Sequence, residues 1–316
     1  MAQTKKTKKK KLSPSKKNNI ITAIKEKIQE STGEKPIIEP NPKKIDLSAI
    51  RKEIEEETKG KKESKEKKEK KDYILTGVPG FDDLLEDGIP KGSSILVAGG
   101  AGSGKTIFCL QTLMHHVIEG KKCFYMSFEE SEDKLLKHMK EFGWDAQKYI
   151  KSGNLVINRL SPFDITRNIE GMLEKEKGDL LIEIEPVILP DNFEPDLIVL
   201  DSLTAVASAF VGKEDSYRIY IEQLFRFFEK LKSTSFLITE TKQIPEVFST
   251  TGVEEFLADG VIVIYNIKRG DIRENAIEIL KMRGESHKKR IVAMQVTDKG
   301  MKVYPQQEVF GGLETS

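Results

Sequence analysis

Short apolar runs alternate with segments of helical periodicity through most of the chain after residue 71. Residues 94–98 form an apolar, β-favouring run, and residues 107–114 carry apolar side chains at helical spacing. Further strands are predicted at residues 73–77, 122–128, 155–157, 196–201 and 235–239, and helices at residues 131–142, 165–173 and 217–231. A short helix between turns is predicted within residues 78–88. This alternation is typical of an α/β fold whose central sheet is mainly parallel.

The last part of the chain has a different pattern. Four apolar runs, at residues 260–265, 276–281, 290–295 and 301–304, follow one another with no helical segment between them. Turn-forming residues separate the runs, notably at residues 268–271 and 298–300. We therefore expect successive antiparallel strands that make the C-terminal end β-rich, within one domain that spans residues 72–316.

The first 71 residues differ sharply in composition from the rest. They hold 23 Lys/Arg and 12 Asp/Glu, whereas residues 72–316 hold 29 and 39, so a basic leader precedes an acidic body. Lysine runs at residues 1–19 and 59–71 cannot bury a core, and only weak helical patterns lie between them. We expect the leader to be disordered or transiently helical. It serves either as a solvated extension or as an arm for nucleic acid or an acidic partner, and it lacks the aromatics that base stacking needs.

Composition also narrows the class of protein. A chain of 316 residues with 38% hydrophobic residues can bury a full core. It contains no apolar run long enough for a membrane span and no secretory signal pattern, and its cysteines, Cys109 and Cys123, lie in apolar runs. These features predict a reduced, cytoplasmic protein without membrane insertion. Because the body is acidic, contacts with nucleic acid are expected only through the leader.

The candidate chemistry centres on a glycine-rich stretch between the apolar runs at residues 94–98 and 107–114. It matches the pattern G-x-x-x-x-G-K-[ST] of a phosphate-binding loop. Glycine lets the backbone turn its N–H groups towards a triphosphate, the lysine places a charge on the β- and γ-phosphates, and the hydroxyl binds Mg²⁺. A flexible Gly/Ser connector is the alternative, but it predicts no flanking strand and helix. The loop residues are Gly99, Gly100, Ala101, Gly102, Ser103, Gly104, Lys105 and Thr106.

Three carboxylates could complete a nucleotide site. The apolar run at residues 197–200 ends in Asp201, and a carboxylate at the end of a buried strand can reach the metal shell beside Thr106. Its alternative role is to cap the next helix. Glu129 and Glu130 follow the strand predicted at residues 122–128, where Glu129 is the candidate that activates water and Glu130 supports it. Complementing a helix dipole would alone account for Glu130.

A basic stretch near the C-terminus is a further candidate. Lys281 and Arg283 lie two residues apart, so on a strand both project from the same face and could bind an anionic phosphate. The spacing does not say whose phosphate this is, and a solvated basic strand is the alternative. His287 on its own is typical of a surface or turn histidine.

Together these motifs resemble the KaiC-like branch of the RecA superfamily. The resemblance rests on the phosphate loop, the Glu129–Glu130 pair, the strand ending in Asp201, and stretches at residues 76–82, 253–261, 281–287 and 304–305. It covers residues 72–311, and the leader has no counterpart in it. The resemblance implies a RecA-like P-loop NTPase core.

The same resemblance implies an ATPase that assembles as a homo-oligomeric ring, usually a hexamer, with ATP and Mg²⁺ bound between subunits. It assigns phosphate and Mg²⁺ binding to Lys105 and Thr106, and support of the metal to Asp201. It assigns activation of water to Glu129. The side chains expected to reach the γ-phosphate on the neighbouring subunit are Lys281, Arg283 and His287.

The chain also departs from the family pattern. It carries one such domain, whereas the circadian clock protein has two in tandem, so the autophosphorylation of the clock protein is not carried over. Residues 178–195 look like an insertion, either a decorated loop or a partner-binding hairpin. Single-domain members are typical of archaea, and the Lys/Glu-rich composition suits a thermophile.

The leading hypothesis is a slow, ring-forming Mg-ATPase with a regulatory or signalling role and an unknown protein partner. A nucleotide-dependent binding switch with little turnover, similar to the regulator of the archaeal motility motor, is the first alternative. A recombinase-like, DNA-dependent ATPase is the second. Few cations occur between residues 243 and 252, where such a protein would present a DNA-binding loop, and this argues against the second alternative.

Overall fold

The computed structural model describes residues 72–167, 189–245, 247–269 and 271–309. The leader and most of the suspected insertion lie outside these residues, so both remain sequence predictions. Residues 162–167 are helical, and the rest of the helix predicted at residues 165–173 lies outside the described part. The other α-helices within the described residues are α1 (Lys105–Ile118), α2 (Glu132–Glu141), α3 (Ala146–Lys151), α4 (Leu203–Ser208), α5 (Glu214–Leu231) and α6 (Val253–Leu257).

The strands follow the alternation that the sequence predicts. A short 3-10 helix, Asp82–Leu84, lies between the first two of them. The strands are β1 (Tyr73–Ile74), β2 (Ile89–Pro90), β3 (Ser94–Gly99), β4 (Cys123–Ser127), β5 (Leu155–Arg159), β6 (Leu197–Asp201), β7 (Thr234–Glu240), β8 (Gly260–Arg269), β9 (Ile272–Met282), β10 (Val292–Thr297) and β11 (Gly300–Glu308).

Nine of these strands form one sheet, in the order β11-β10-β9-β8-β3-β7-β6-β4-β5. The six strands from β8 to β5 are parallel, and β9, β10 and β11 continue the sheet in antiparallel fashion. Strands β1 and β2 form a separate antiparallel pair. The α/β fold with a mainly parallel sheet and a β-rich C-terminal end is therefore confirmed.

Two apolar layers cover the parallel part of the sheet. On β3, Ile95 and Val97 pack into the layer that contains Phe108 of α1, whereas Leu96 packs into the layer that contains Tyr220 of α5. This division follows from the two-residue period of a strand, which sends successive side chains to opposite faces. A strand covered on both faces needs a continuous apolar run, and residues 95–98 of β3 form such a run.

Some predicted boundaries are wrong. The strand predicted at residues 73–77 ends at Ile74, because the Asp82 carboxylate accepts hydrogen bonds from the backbone N–H groups of Thr76 (2.8 Å) and Gly77 (3.0 Å). Strands β8 and β9 extend further than predicted and shorten the turn between them.

None of the helices in the described ranges combines the length and apolar composition that a membrane crossing requires.

Candidate functional site

The glycine-rich loop lies between the end of β3 and the start of α1. Gly102 (φ 72°) and Gly104 (φ 101°) have left-handed backbone conformations, which other residues adopt only with strain. A Cβ atom on Gly99 would lie 2.3 Å from the carbonyl oxygen of Ile264 on β8. The loop therefore fits closely against the sheet, and the amino end of α1 faces the space above it.

Lys105 is nearly buried at the base of this loop. Its Nζ donates to the carbonyl oxygens of Gly99 and Gly100, both at 3.0 Å, and lies 3.8 Å from Oε1 of Glu240. Burial lowers the pKa of Lys105, although the carboxylates of Glu240 and Asp201 act in the opposite direction. An ammonium group held by two carbonyl oxygens and one loosely placed carboxylate can rearrange towards a stronger anion, such as a phosphate.

Asp201 ends β6 directly beside the loop. Its Oδ2 accepts hydrogen bonds from Thr106 Oγ1 at 2.9 Å and from the Tyr125 hydroxyl at 2.6 Å. Burial raises the pKa of Asp201 to about 6, and these two hydrogen bonds limit the shift. The capping alternative for Asp201 is wrong, because Ser202 accepts the hydrogen bond from Ala205 N (3.2 Å) and caps α4.

Glu129 and Glu130 lie in the turn between β4 and α2. The Ser202 hydroxyl donates a hydrogen bond to Oε1 of Glu129. Oε2 of Glu130 lies 3.3 Å from Nδ1 of His138 on α2. Because α2 begins at Glu132, neither carboxylate lies in its first turn, so the helix-dipole explanation for Glu130 is wrong.

A cavity of about 400 Å³ joins these groups. Its size is within the range of small-molecule pockets. Lys105, Thr106, Asp201 and both glutamates contribute polar groups to its lining. The cavity can therefore offer charged groups to phosphates and an apolar surface to a planar ring. The apolar part of the lining consists of Ile107, Leu110, Phe142, Ile238 and Val296.

The donors and acceptors of the cavity fit a nucleotide bound with Mg²⁺. Oγ of Ser103 is buried without a hydrogen-bond partner among the described residues, so the loop keeps a donor for an anion. Thr106 and Asp201 supply oxygen ligands of the kind that Mg²⁺ prefers, and Mg²⁺ takes its other ligands from water and phosphates. The described part of the chain holds no cluster of three or more His, Cys, Asp or Glu side chains suited to a metal. Ser103, Thr106 and Asp201 are thus suited to a nucleotide bound with Mg²⁺.

Lys281 and Arg283 lie at the opposite end of the parallel strands from the loop. Met282, between them, pairs with Gly260, and Gly260 pairs with Ile95 near the start of β3. The loop begins at Gly99, four residues further along β3, which is about 13 Å of strand. The structure therefore does not bring this cation pair to the phosphate loop of its own chain, and neither residue lines the cavity.

His287 lies apart from both the phosphate loop and the cation pair, and its backbone forms an isolated β-bridge with Leu85. Both ring nitrogens are buried and have no hydrogen-bond partner within the described ranges. Like the cation pair, His287 does not line the cavity. Of the predicted site residues, the loop, Asp201, Glu129 and Glu130 come together, whereas Lys281, Arg283 and His287 do not join them within one chain.

Comparison with known proteins identifies the family. A family model described as the ATPase KaiC matches residues 74–308. The chain belongs to the KaiC family of ATPases. The circadian clock oscillator protein KaiC of Acaryochloris marina is 33% identical over 236 residues, which are 73% of this chain and 44% of that protein. The circadian clock protein KaiC3 of a Synechocystis strain is 36% identical over 219 residues, 68% of this chain and 42% of its own length.

A solved structure supports the same fold. The crystal structure of a KaiC-like protein from the hyperthermophilic archaeon Pyrococcus horikoshii OT3 is similar with a TM-score of 0.62 and 28% identity. The aligned region covers 74% of this chain and the whole chain of that structure. The RecA-like α/β fold expected for a KaiC-family domain is therefore confirmed. The chain spans less than half the length of the clock relatives but the full length of this archaeal one.

Several contacts of this KaiC-family site are not predicted from the sequence. Tyr125 binds Asp201, and Glu240 lies beside Lys105. Two further side chains contact the loop: Gln243 Nε2 donates to Ala101 O (3.3 Å), and Asn266 Nδ2 donates to Gly102 O (3.3 Å). Strand register could have indicated Glu240, because β7 is parallel to β3 and Glu240 pairs with Gly99. The Gln243 contact comes from an irregular loop, and it has no such signal.

Proposed function

We propose that this KaiC-family protein hydrolyses ATP with Mg²⁺ and acts as a ring-forming regulatory ATPase whose sites are shared between subunits. The observation that carries the proposal is the convergence of Lys105, Thr106, Asp201 and Glu129 on one cavity. Each of these four side chains has a type and position that phosphoryl transfer to water needs. Slow turnover, a cytoplasmic location and an archaeal source remain expectations from the sequence.

Within one subunit, the loop residues bind the nucleotide and Glu129 acts on water. Lys105 leaves the carbonyl oxygens of Gly99 and Gly100 to bind the β- and γ-phosphates. Thr106 and Asp201 would hold Mg²⁺, which would supply positive charge beside the phosphate oxygens. Glu129, oriented by the Ser202 hydroxyl, positions a water molecule in line with the γ-phosphate and accepts its proton.

The base of the nucleotide has a suitable apolar surface in the same cavity. Phe142 lies at the end of α2, and Leu110 and Ile107 lie on the α1 face that borders the loop. An aromatic and aliphatic surface of this kind buries a planar ring, and a few polar groups nearby fix its orientation. We therefore assign these side chains to the adenine end of the bound nucleotide.

Lys281 and Arg283 serve the nucleotide of a neighbouring subunit. The cation pair and the phosphate loop lie at opposite ends of β3, so a head-to-tail arrangement brings the pair of one subunit to the loop of the next. Cations at this place stabilise the negative charge of the transition state. The ring nitrogens of His287, which have no hydrogen-bond partner among the described residues, are a further candidate contact for a group from outside its own chain.

The surface beside the cation pair has the character of a protein contact. Phe256, whose carbonyl oxygen binds both cations, has a side chain that is 75% exposed. Leu280, adjacent to Lys281, is 41% exposed. Exposed apolar side chains next to charged groups are characteristic of surfaces that bind another protein. A second copy of the chain would cover Phe256 while it receives the cations.

The experiment that tests the proposal measures steady-state ATP hydrolysis with Mg²⁺ across a range of protein concentrations. The variants are Glu129→Gln and Arg283→Ala, with Arg290→Ala as the matched control. Arg290 is also an exposed arginine, but it pairs with Glu308 at the end of β11. We expect turnover per subunit to rise as subunits assemble, and Glu129→Gln to bind ATP with hydrolysis lowered about 10²- to 10⁴-fold.

Arg283→Ala should lose about 10²- to 10³-fold in hydrolysis and, in excess, should inhibit the wild type through mixed assemblies. Arg290→Ala should do neither. If the wild type binds ATP but turns over no faster than Glu129→Gln at any concentration, the protein is a nucleotide-dependent binding switch instead. If turnover per subunit is independent of concentration and unaffected by Arg283→Ala, the site is complete within one subunit.

A further inference from the structure

Helix α6 determines where the Lys281 ammonium group lies. Nζ of Lys281 donates to the carbonyl oxygens of Glu255 (3.0 Å), Phe256 (3.4 Å) and Ala258 (2.6 Å). These carbonyl groups belong to the last turn of α6 and the residue after it, where backbone acceptors have no partner within the helix. A cation therefore binds favourably at this helix end.

The same short segment holds Arg283. Its guanidinium donates from Nη2 to the carbonyl oxygen of Phe256 (3.2 Å) and from Nη1 to Oδ1 of Asp259 (3.1 Å). Asp259 in turn accepts a hydrogen bond from Ser94 N at the start of β3 (3.1 Å). Both cations are thus set in place by residues 255–259, and a displacement of α6 would displace them together.

Helix α6 is too short to hold its own position. It contains five residues, and a helix of this length is not stable by itself in water. Its anchor is Glu254, which is fully buried. The Glu254 carboxylate accepts hydrogen bonds from the Tyr217 hydroxyl on α5 (2.7 Å) and from Thr251 Oγ1 (2.8 Å). Burial and the neighbouring Glu254 charge raise the pKa of Tyr217, so its hydroxyl stays a donor.

A buried carboxylate destabilises a fold unless hydrogen bonds compensate for its lost contact with water. Transfer of an ionised carboxylate from water to the protein interior is strongly unfavourable without such hydrogen bonds. Apolar packing alone could hold α6 on α5, but it would allow the helix to slide, because apolar contacts have little directionality. Hydrogen bonds from Tyr217 and Thr251 to Glu254 fix both the position and the rotation of the helix.

We propose that Glu254 and Tyr217 are positioning residues for the cation pair: their buried hydrogen bond fixes α6, and α6 directs Lys281 and Arg283 towards the nucleotide of the neighbouring subunit. The inference rests on the proposed function, since it supposes that the pair acts on a neighbour. It assigns a role in the reaction to two residues that touch neither nucleotide nor metal. A defect at Tyr217 then appears in the site of the next subunit, and not in the site of its own chain.

The first test is the kinetics of Tyr217→Phe, which removes the hydroxyl and keeps the ring. Tyr220→Phe is the matched control, because Tyr220 is also fully buried on α5, one turn away. We expect Tyr217→Phe to lower kcat about 10- to 100-fold with little change in KM or in the affinity for a fluorescent ATP analogue. Thr251→Val, which removes the other hydroxyl bound to Glu254, should lower kcat in the same way. Tyr220→Phe should leave kcat near the wild-type value.

The second test separates positioning from a general structural defect. Tyr217→Phe is co-assembled in equal amounts with Glu129→Gln, which is inactive in its own site but carries intact cations. In a random mixture, roughly a quarter of the sites combine a Glu129 from one chain with the cations of a Glu129→Gln neighbour. Activity should therefore recover to about a quarter of the wild-type value. The same mixture with Arg283→Ala in place of Tyr217→Phe is the reference.

Each outcome decides a different point. Recovery in both mixtures supports the inference. Recovery with Arg283→Ala but not with Tyr217→Phe overturns the inference and leaves the shared site intact. Unchanged kcat in both Tyr217→Phe and Thr251→Val also overturns it. No recovery in the Arg283→Ala mixture overturns the shared site itself, and the positioning role falls with it.

Discussion

The Ser202 hydroxyl donates a hydrogen bond to Oε1 of Glu129 and so links the residue after β6 to the turn after β4. The two strands are neighbours in the sheet, with Ser127 opposite Asp201. The contact therefore links Glu129, the candidate for activating water, to the strand that ends in Asp201, the candidate for supporting the metal. Parallel strands place their carboxyl ends at one edge of a sheet, which is why residues 73 positions apart meet there.

Ser202→Ala should lower kcat about tenfold without a comparable change in KM, because Glu129 loses the group that orients it. The variant also loses a helix cap, at about 1 kcal/mol, so its unfolding is measured in parallel. Ser208→Ala is the control, since this exposed serine lies at the other end of α4. A kcat equal to that of the wild type would show that Glu129 needs no such orientation.

Asp201→Asn should stabilise the protein when nucleotide and metal are absent. The pKa of Asp201 is about 6 in the folded protein against an ordinary 3.8. Between these values the folded state holds a proton that the unfolded state has lost, so wild-type stability falls as pH rises from about 4 to 6. Asparagine has no carboxyl proton to lose and therefore stays neutral over this pH range. The stabilising effect should be on the order of 2–3 kcal/mol at pH 7 and vanish towards pH 4.

Urea unfolding in EDTA at several pH values checks this effect. Asp215→Asn, at an exposed position on α5, is the control for the loss of one carboxylate. Asp201→Asn should also weaken the Mg²⁺ dependence of nucleotide binding. A stability difference that does not depend on pH would contradict the role of burial.

Gly99→Ala and Gly100→Ala should differ in stability although the residues are adjacent. The added Cβ of Gly99 meets the backbone oxygen of Ile264 at 2.3 Å, which cannot move without disturbing β8. The added Cβ of Gly100 meets the Gln243 side chain at 2.8 Å, and this side chain can rotate away. We expect a loss of about 2–4 kcal/mol for Gly99→Ala and less than about 1 kcal/mol for Gly100→Ala, measured by thermal unfolding. Similar losses would show that β8 can yield at this point.

Glu240→Gln should strengthen nucleotide binding. Oε1 of Glu240 lies 3.8 Å from Lys105 Nζ and adds negative charge to the cavity proposed to receive a triphosphate. The side chain is 44% exposed, so solvent screens the interaction and the gain is about two- to fivefold in Kd. Titration with a fluorescent ATP analogue should show the gain at low salt and a smaller one at high salt. Weaker binding would mean that Glu240 itself holds part of the ligand shell.

Phe256→Asp should prevent assembly without unfolding the subunit. The side chain is largely exposed, so the charge costs little in the isolated domain, but a partner surface would have to bury it. Sedimentation should show a shift to the monomer, with a loss of concentration-dependent hydrolysis. Phe163→Asp is the control, because Phe163 is 68% exposed in a different helical segment. An unchanged sedimentation profile would exclude Phe256 from the interface.

The loop and the strand ending in Asp201 could be predicted because local rules determine them. The spacing of Gly99, Gly104 and Lys105 requires one backbone shape, and an apolar run that ends in a carboxylate identifies a buried strand. Glu130 shows the limit of such rules. Whether it opens a helix depends on where α2 begins, and helix boundaries depend on tertiary packing that the pattern does not contain.

The position of Lys281 and Arg283 in the sheet could not be predicted without the three-dimensional structure. Their spacing predicts a common face, and both do bind the carbonyl oxygen of Phe256. Which end of the sheet they occupy depends on the length of the β8–β9 hairpin and on a register shift after Val261. A hairpin with a different strand length or register would place Lys281 and Arg283 at a different position along the sheet. The anchor at Glu254 likewise depends on how α5 and α6 pack.

The burial of Asp201 has a consequence for the lifetime of the protein in a cell. An ionised carboxylate that is almost fully buried makes the empty molecule less stable than one whose site holds a cation and phosphates. A ligand that binds only the folded chain lowers the fraction of unfolded molecules, and proteases degrade mainly the unfolded molecules. If the proposed nucleotide is the ligand, chains survive longest when Mg-ATP is plentiful. The abundance of the protein would then follow the energy supply of the cell, independently of any change in its synthesis.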